Sequence, residues 1–148
     1  MTRTLSKKTR YATALIMVVG SLGFYASAQT LGLQQAVQKF ETAGYTHVHD
    51  VELDDGLWEA DVTRPDGSRG EIKLDPATGE IFDPASGRTV MNAPAIIAKL
   101  KEAGYANIQE LEREGALWEA EAWSQEGTLM ELVISGHDGR VLHSKRHR

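Results

Sequence analysis

The sequence predicts an α+β fold made of two tandem units, each a helix followed by an antiparallel sheet, behind an N-terminal export signal. Three observations predict it: a basic and then apolar leader, a gapless internal repeat, and a change from helical to alternating hydrophobic period within each repeat. Because a unit of about 50 residues buries too little surface to be secure alone, we expect the two units, each α-β-β-β(-β), to pack together.

Residues 1–28 have the composition of a signal peptide. A basic start precedes an apolar segment from Tyr11 to Phe24, and the segment ends in the small residues Ala26, Ser27 and Ala28. We predict cleavage after Ala28 and a periplasmic or secreted mature protein, with membrane contact only through this leader. The alternative is an uncleaved anchor, but the apolar segment is short for a membrane span.

Removal of the leader makes the protein strongly acidic. The leader carries four of the 16 Lys and Arg and none of the 21 Asp and Glu, so the mature chain has a net charge of −9. Such a surface repels phosphate backbones, which argues against nucleic acid as a partner and favours basic protein surfaces or cations. The chain has no cysteine. It therefore has neither a disulfide framework nor an acylated-cysteine anchor.

Residues 33–83 align with residues 93–143 at an offset of 60 without a gap. Twelve of the 51 aligned positions are identical, including the pairs Gly44-Tyr45 with Gly104-Tyr105 and Leu57-Trp58-Glu59-Ala60 with Leu117-Trp118-Glu119-Ala120. This is an internal duplication. We place the first unit at residues 29–83, a linker at 84–92 and the second unit at 93–148.

Both units have the same predicted elements. Leu33, Ala36, Val37 and Phe40 recur at helical spacing ahead of Gly44, and the second unit repeats the pattern ahead of Gly104. Alternating segments follow, in which the apolar residues are Val51 and Leu53, then Trp58, Ala60 and Val62, then Ile72 and Leu74. Short turns between them allow only antiparallel neighbours. The predicted structural core contains Phe40, Trp58, Leu100 and Trp118.

These motifs resemble the PepSY family, in particular its small exported members. The resemblance rests on Gly44-Tyr45, on Val51-Glu52-Leu53-Asp54-Asp55-Gly56-Leu57-Trp58-Glu59-Ala60, on Asp66-Gly67, on Glu71-Ile72-Lys73-Leu74-Asp75 and on Thr78-Gly79-Glu80-Ile81. It covers the first unit almost wholly, whereas in the second the closing motif has become Ser135-Gly136-His137-Asp138-Gly139-Arg140. The resemblance implies one helix over an antiparallel sheet, no catalytic residues, and an inhibitory or chaperone-like contact with a peptidase. It therefore predicts a non-enzymatic binding or regulatory protein of the cell envelope, either a peptidase inhibitor or an accessory of an envelope sensor.

An apolar patch on the second sheet is the candidate protein-binding face. The second unit has apolar residues at the positions where the first unit has Thr63, Arg69 and Lys73. Their place in the alternation of the strands directs these side chains away from the helix. Together with Leu117, the predicted contact residues are Leu117, Trp123, Leu129 and Val133. Apolar surface patches mark interfaces. We expect this face to contact a protein partner such as a peptidase or envelope receptor, or to be covered by the first unit or a second copy of the chain.

Metal and hydrolase chemistry find weaker support. The acidic run from Asp50 to Asp61 has Asp where a calcium loop needs Gly and Glu. His47 and His49 would share a face of a strand, and His143 and His147, four residues apart, suit a metal only if that end is helical. Neither pair brings a third ligand of evident spacing. Ser135, His137 and Asp138 are too close in sequence to form a catalytic line. We expect no cofactor, and an acidic cation-binding or metal-binding protein is the alternative function, with His143 and His147 as its candidate ligands.

Overall fold

The computed structural model describes residues 30–148, so the predicted signal peptide lies outside the described residues. The first unit contains α1 Leu33–Thr42, β1 Thr46–Asp54, β2 Leu57–Thr63, β3 Arg69–Leu74 and β4 Ile81–Phe82. The second contains α2 Ala93–Glu102, β5 Ala106–Glu114, β6 Leu117–Trp123, β7 Leu129–Ser135 and β8 Val141–Arg146. Each set of strands forms its own four-stranded antiparallel sheet in sequence order. The predicted α+β class with two repeated units is confirmed.

The helices begin and end where local chemistry favours it. The Asn92 side chain accepts a hydrogen bond of 3.0 Å from the backbone N–H of Ala95, which satisfies a donor in the first turn of α2. Gly44 and Gly104 follow the two helices with φ of 97° and 94°, a conformation that glycine adopts without steric cost. Neither ten-residue helix could cross a membrane, and residues 30–148 contain no helix long and apolar enough to do so.

Each helix packs on one face of its own sheet. Phe40 and Leu100 are fully buried among residues of the adjacent strands. Trp118 is 8% exposed, whereas Trp58 is half-buried at the rim of its core. Each indole N–H donates to the backbone carbonyl of a residue just before the helix, Leu31 at 2.7 Å for Trp58 and Met91 at 3.1 Å for Trp118. The tryptophan thus ties the chain entering the helix to the sheet in both units.

The first strand of each sheet departs from simple alternation. Val48 and Val51 both face the core although they are three residues apart, whereas Leu53, which was predicted to share the face of Val51, is 57% exposed. A pair of bulges gives this spacing, because His47 and Asp50 have φ of 49° and 50° and the register with β2 shifts there. Leu53 follows both bulges and pairs in regular register with Trp58 at the end of this edge strand. The second unit repeats both bulges at Asn107 and Glu110. Each bulge adds a residue, so the inward-facing period becomes three instead of two.

The two units pack together through the sheet faces opposite the helices. Leu57, Phe82, Ala116, Leu117 and Val133 form one buried cluster drawn from both units. This cluster removes both outward-facing leucines at the start of β2 and β6 from water. The prediction that neither small unit stands alone therefore agrees with the packing.

Polar and aromatic contacts border that cluster. The Lys73 ammonium lies 3.2 Å from the Glu59 carboxylate of its own sheet and 3.6 Å from that of Glu114 in the second unit. The His137 ring stacks on Phe82 with centroids 5.7 Å apart. These contacts fix the relative orientation of the units around the shared apolar cluster.

Candidate functional site

Two rows of charged side chains cross the outward face of the second sheet. Backbone pairing aligns Gln109, Glu121, Glu131 and Lys145 in one row and Glu112, Glu119, Val133 and His143 in the next. Because paired residues of an antiparallel sheet point to the same side, the side chains of both rows lie on one face. That face is rich in carboxylates, and several of these lie directly opposite one another.

The rows line a groove of about 250 Å³ that the first unit helps to enclose. Its lining includes six carboxylate side chains and one lysine, together with His143: Asp55, Glu110, Glu112, Glu119, Glu121, Glu131 and Lys145. Asp55 belongs to the turn between β1 and β2, whose Gly56 lies directly against the His143 ring, where a Cβ atom would clash. We call this the acidic groove.

Few cations offset the carboxylates of the acidic groove. The Lys145 ammonium pairs with Asp55 and, at 3.1 Å, with Glu131. The His147 ring nitrogen lies 2.9 Å from Glu121 and 3.1 Å from Glu131. Burial and a hydrogen bond with Glu114, reinforced by that neighbour's charge, raise the pKa of Glu119 to about 6. An excess of carboxylates over cations in one groove attracts cations and basic side chains.

The structure divides the predicted contact residues into two pairs. Leu117 and Val133 are buried in the cluster between the units, so they are not free to contact a partner, and their assignment to an open binding face is corrected. The first unit covers them, which is one of the alternatives that the sequence left open. Trp123 is 39% exposed and Leu129 is half-buried, and the two face each other across β6 and β7. They adjoin the row that contains Glu121 and Glu131.

The histidine pair named as alternative metal ligands does not converge. His143 lies in β8 and His147 follows that strand, so the helical spacing that a shared metal would need is absent at this end of the chain. His143 lies against Gly56, whereas His147 pairs with the two glutamates. The His137 ring nitrogen Nδ1 lies 2.8 Å from the carbonyl of Thr89, which directs it away from a triad with Ser135.

A buried ionic network in the first unit was not anticipated. Asp83 is 4% exposed and takes hydrogen bonds of 2.9 Å from the Arg64 guanidinium, the Tyr45 hydroxyl and the backbone N–H of Ala85. Burial and the contact with Asp83 raise the pKa of Tyr45 to about 12. Burial alone would raise the pKa of Asp83, but these hydrogen bonds and the Arg64 charge outweigh it and lower that pKa.

Comparison of the two units could have located this network. A Cβ at Gly70 would lie 2.7 Å from the guanidinium of Arg64, so glycine makes room for that side chain. Where the first unit has Arg64, Gly70 and Asp83, the second has Ser124, Met130 and His143. These three positions differ together between two copies of one fold, which indicates that the three residues belong to one network of contacts. In the predicted domain organisation Asp83 is only the last residue of the first unit.

The family model described as "Peptidase propeptide and YPEB domain" matches residues 10–85 and again residues 84–145. The chain is also similar to the solved structure of the YpmB protein from Bacillus subtilis, with 20% sequence identity, coverage of 78% of this chain and 98% of that chain, and a TM-score of 0.36. Among curated proteins, none matches this chain.

Proposed function

Since the chain belongs to the peptidase propeptide and YPEB domain family, with one family match in each half, we propose that it is an exported, non-enzymatic regulatory protein that binds a partner protein through the second unit. The contact surface is the pair Trp123 and Leu129 together with the adjoining acidic groove. The family description makes a peptidase the first class of partner to test. Export rests on the leader at residues 1–28.

The observation that carries this proposal is the exposure of Trp123. Tryptophan is a large apolar side chain that folding tends to bury, yet 39% of its surface faces solvent here. Leu129 lies directly opposite on the next strand. Exposed tryptophan beside a second apolar side chain is typical of the centre of a protein interface.

The charges around this apolar pair define the complementary surface. Glu121 and Glu131 occupy the next row of the sheet, and the groove beyond them holds further carboxylates. Opposite charge steers association and fixes orientation. The proposed partner therefore presents an apolar side chain flanked by Lys or Arg.

The first unit supplies a matched variant for the test. It has Thr63 and Arg69 where the second unit has Trp123 and Leu129, on the same backbone pairing. The double substitution Trp123→Thr and Leu129→Arg therefore gives the second sheet a surface that the fold already carries. Leu53→Ser, which changes an exposed leucine on the other unit, is the control for loss of any apolar surface.

The experiment is affinity capture from the native envelope fraction, followed by peptidase assays on the captured protein. We expect one protein to be retained by the parent and by Leu53→Ser but lost with the double variant, and its peptidase activity to fall as the parent is added. Equal retention by all three proteins would refute the proposed surface. A parent that retains nothing and forms a dimer which the double variant dissociates would show that the surface is structural.

A further inference from the structure

We infer that the first unit carries a binding site for a divalent transition metal of the zinc class, formed by His49, Asp50 and Asp61. Each residue offers one ligand atom, and these three atoms lie within 4.8 Å of one another. The site is distinct from the acidic groove, which belongs to the second sheet. It also differs from the pair His143 and His147 that the sequence suggested.

The β-bulge brings the three ligands together. In a regular strand consecutive side chains point to opposite faces, so His49 and Asp50 could not share a ligand. The bulge at Asp50, with φ of 50°, turns its carboxylate beside the imidazole, and His49 Nδ1 lies 2.9 Å from Asp50 Oδ2. Asp61 is the direct pairing partner of His49 on β2 and adds the third donor.

The donor set specifies the class of metal. Imidazole nitrogen with carboxylate oxygen suits zinc and copper, whereas calcium takes oxygen ligands only. Metal–ligand bonds of about 2.1 Å in tetrahedral geometry place donor atoms about 3.4 Å apart. All three side chains are exposed, so rotation alone brings them to that separation. Two carboxylates also neutralise the charge of a divalent ion.

A second imidazole lies on the same surface. His47 and His49 line one concave region together with Asp61, Thr63 and Arg69. His47 is exposed, and its φ of 49° marks the first of the two bulges of β1. Zinc sites with three protein ligands keep their fourth position open for water or a further donor. His47 or water completes the coordination shell.

The second unit provides a natural control for the ligand set. It keeps both bulges and the same register, but Gln109, Glu110 and Glu121 stand where the first unit has His49, Asp50 and Asp61. The Gln109 amide donates to the Glu121 carboxylate at 3.4 Å. An amide nitrogen is no metal ligand, so the second unit holds the carboxylates without the imidazole. All three ligand positions differ between the copies, but only the change from His49 to Gln109 removes a donor type, since both carboxylate positions keep a carboxylate.

The test is isothermal titration calorimetry of the full chain with Zn²⁺, with Ca²⁺ as the comparison ion. Residues 1–29 contain no His, Asp or Glu, so the leader adds no side-chain ligand of these kinds. We expect one Zn²⁺ per chain. His49→Gln, which copies the second unit, and Asp61→Asn should each weaken binding at least tenfold, since even outer contacts of metal ligands are worth about 10–100-fold.

His147→Gln is the control, because His147 also contacts two carboxylates, Glu121 and Glu131. It should keep the stoichiometry and affinity of the parent. Gln109→His should raise the stoichiometry toward two, and circular dichroism checks that each variant is folded. No heat of binding from the parent, Zn²⁺ binding that survives His49→Gln, or binding lost with His147→Gln would overturn the assignment. Calcium binding equal to that of zinc and unchanged by His49→Gln would do the same.

Discussion

Arg64→Met should destabilise the protein far more than the loss of an ordinary ion pair. Asp83 is 4% exposed, and the Arg64 side chain that pairs with it is 9% exposed. Methionine fills much of the same space but leaves the carboxylate with the Tyr45 hydroxyl and the N–H of Ala85 as its remaining hydrogen-bond donors. Leaving a buried charge without its counterion lowers the free energy of unfolding by about 3–5 kcal/mol. A domain of this size has about 5–15 kcal/mol of total stability, so the loss takes a large fraction of it.

Urea unfolding followed by circular dichroism measures this loss, and a constant m value shows that the unfolding reaction is unchanged. Arg88→Met is the matched control, because Arg88 pairs with Glu80 on the surface with 48% of its own side chain exposed. Its expected cost is about 0–1 kcal/mol. If Arg64→Met costs no more than Arg88→Met, the buried pair of Arg64 and Asp83 does not stabilise the fold.

The pH dependence of Arg64→Met gives a second measure of the same network. The pKa of Asp83 is lower in the folded protein than its ordinary value. Its contribution is therefore present above the unfolded-state pKa of about 3.9 and is lost as pH falls through the folded-state pKa. We expect the difference in unfolding free energy between parent and variant to narrow in acid. A difference that stays constant down to pH 2 would contradict the role of the Asp83 charge.

Three further outcomes are expected. Trp118→Phe should cost about 0.5–1.5 kcal/mol in urea unfolding, because it removes the hydrogen bond to Met91; no loss would show that packing alone positions the indole. Leu117→Ala should cost about 2–5 kcal/mol through a cavity between the units, whereas Leu53→Ala should change the unfolding free energy by less than about 0.5 kcal/mol. The folded-state pKa of Glu119, about 6, lies above its ordinary value, so stability falls as pH rises through 6. Glu119→Gln should therefore raise the melting temperature at pH 8 and leave it nearly unchanged at pH 4.5, and an equal effect at both pH values would refute the shift.

Hydrophobic period alone predicted most of the fold. Alternation in β2 placed Ala60 and Val62 correctly in the core, and the helical pattern did so for Phe40. The period of two did not place Val48 in the core, because it cannot reveal bulges that form at His47 and Asp50 instead of at glycine. Bulges of this kind most often use glycine at the left-handed position, so the local sequence carries no strong signal for them.

The candidate site was predicted only in part, because the packing of the two units decides which of its residues are exposed. Parity correctly assigned Leu117 and Val133 to the face opposite the helix, but sequence spacing says nothing about what covers that face. Trp123 and Leu129 remain open because they lie farther along the strands. The acidic groove forms where the Asp55 turn of the first unit lies over the second sheet. The sequence of either repeat by itself does not reveal that arrangement.

The repeated bulges restrict the ways in which two copies of the unit can associate. β1 and β5 lie at the edges of their sheets, where a regular row of free N–H and C=O groups would be a template for another strand. Bulges at His47 and Asp50, and again at Asn107 and Glu110, interrupt that row. Two copies of such a unit are thus poorly suited to merge through β1 and β5 into one continuous sheet. Copying the unit adds a layer, and a longer array built in this way would grow in thickness while every sheet kept four strands.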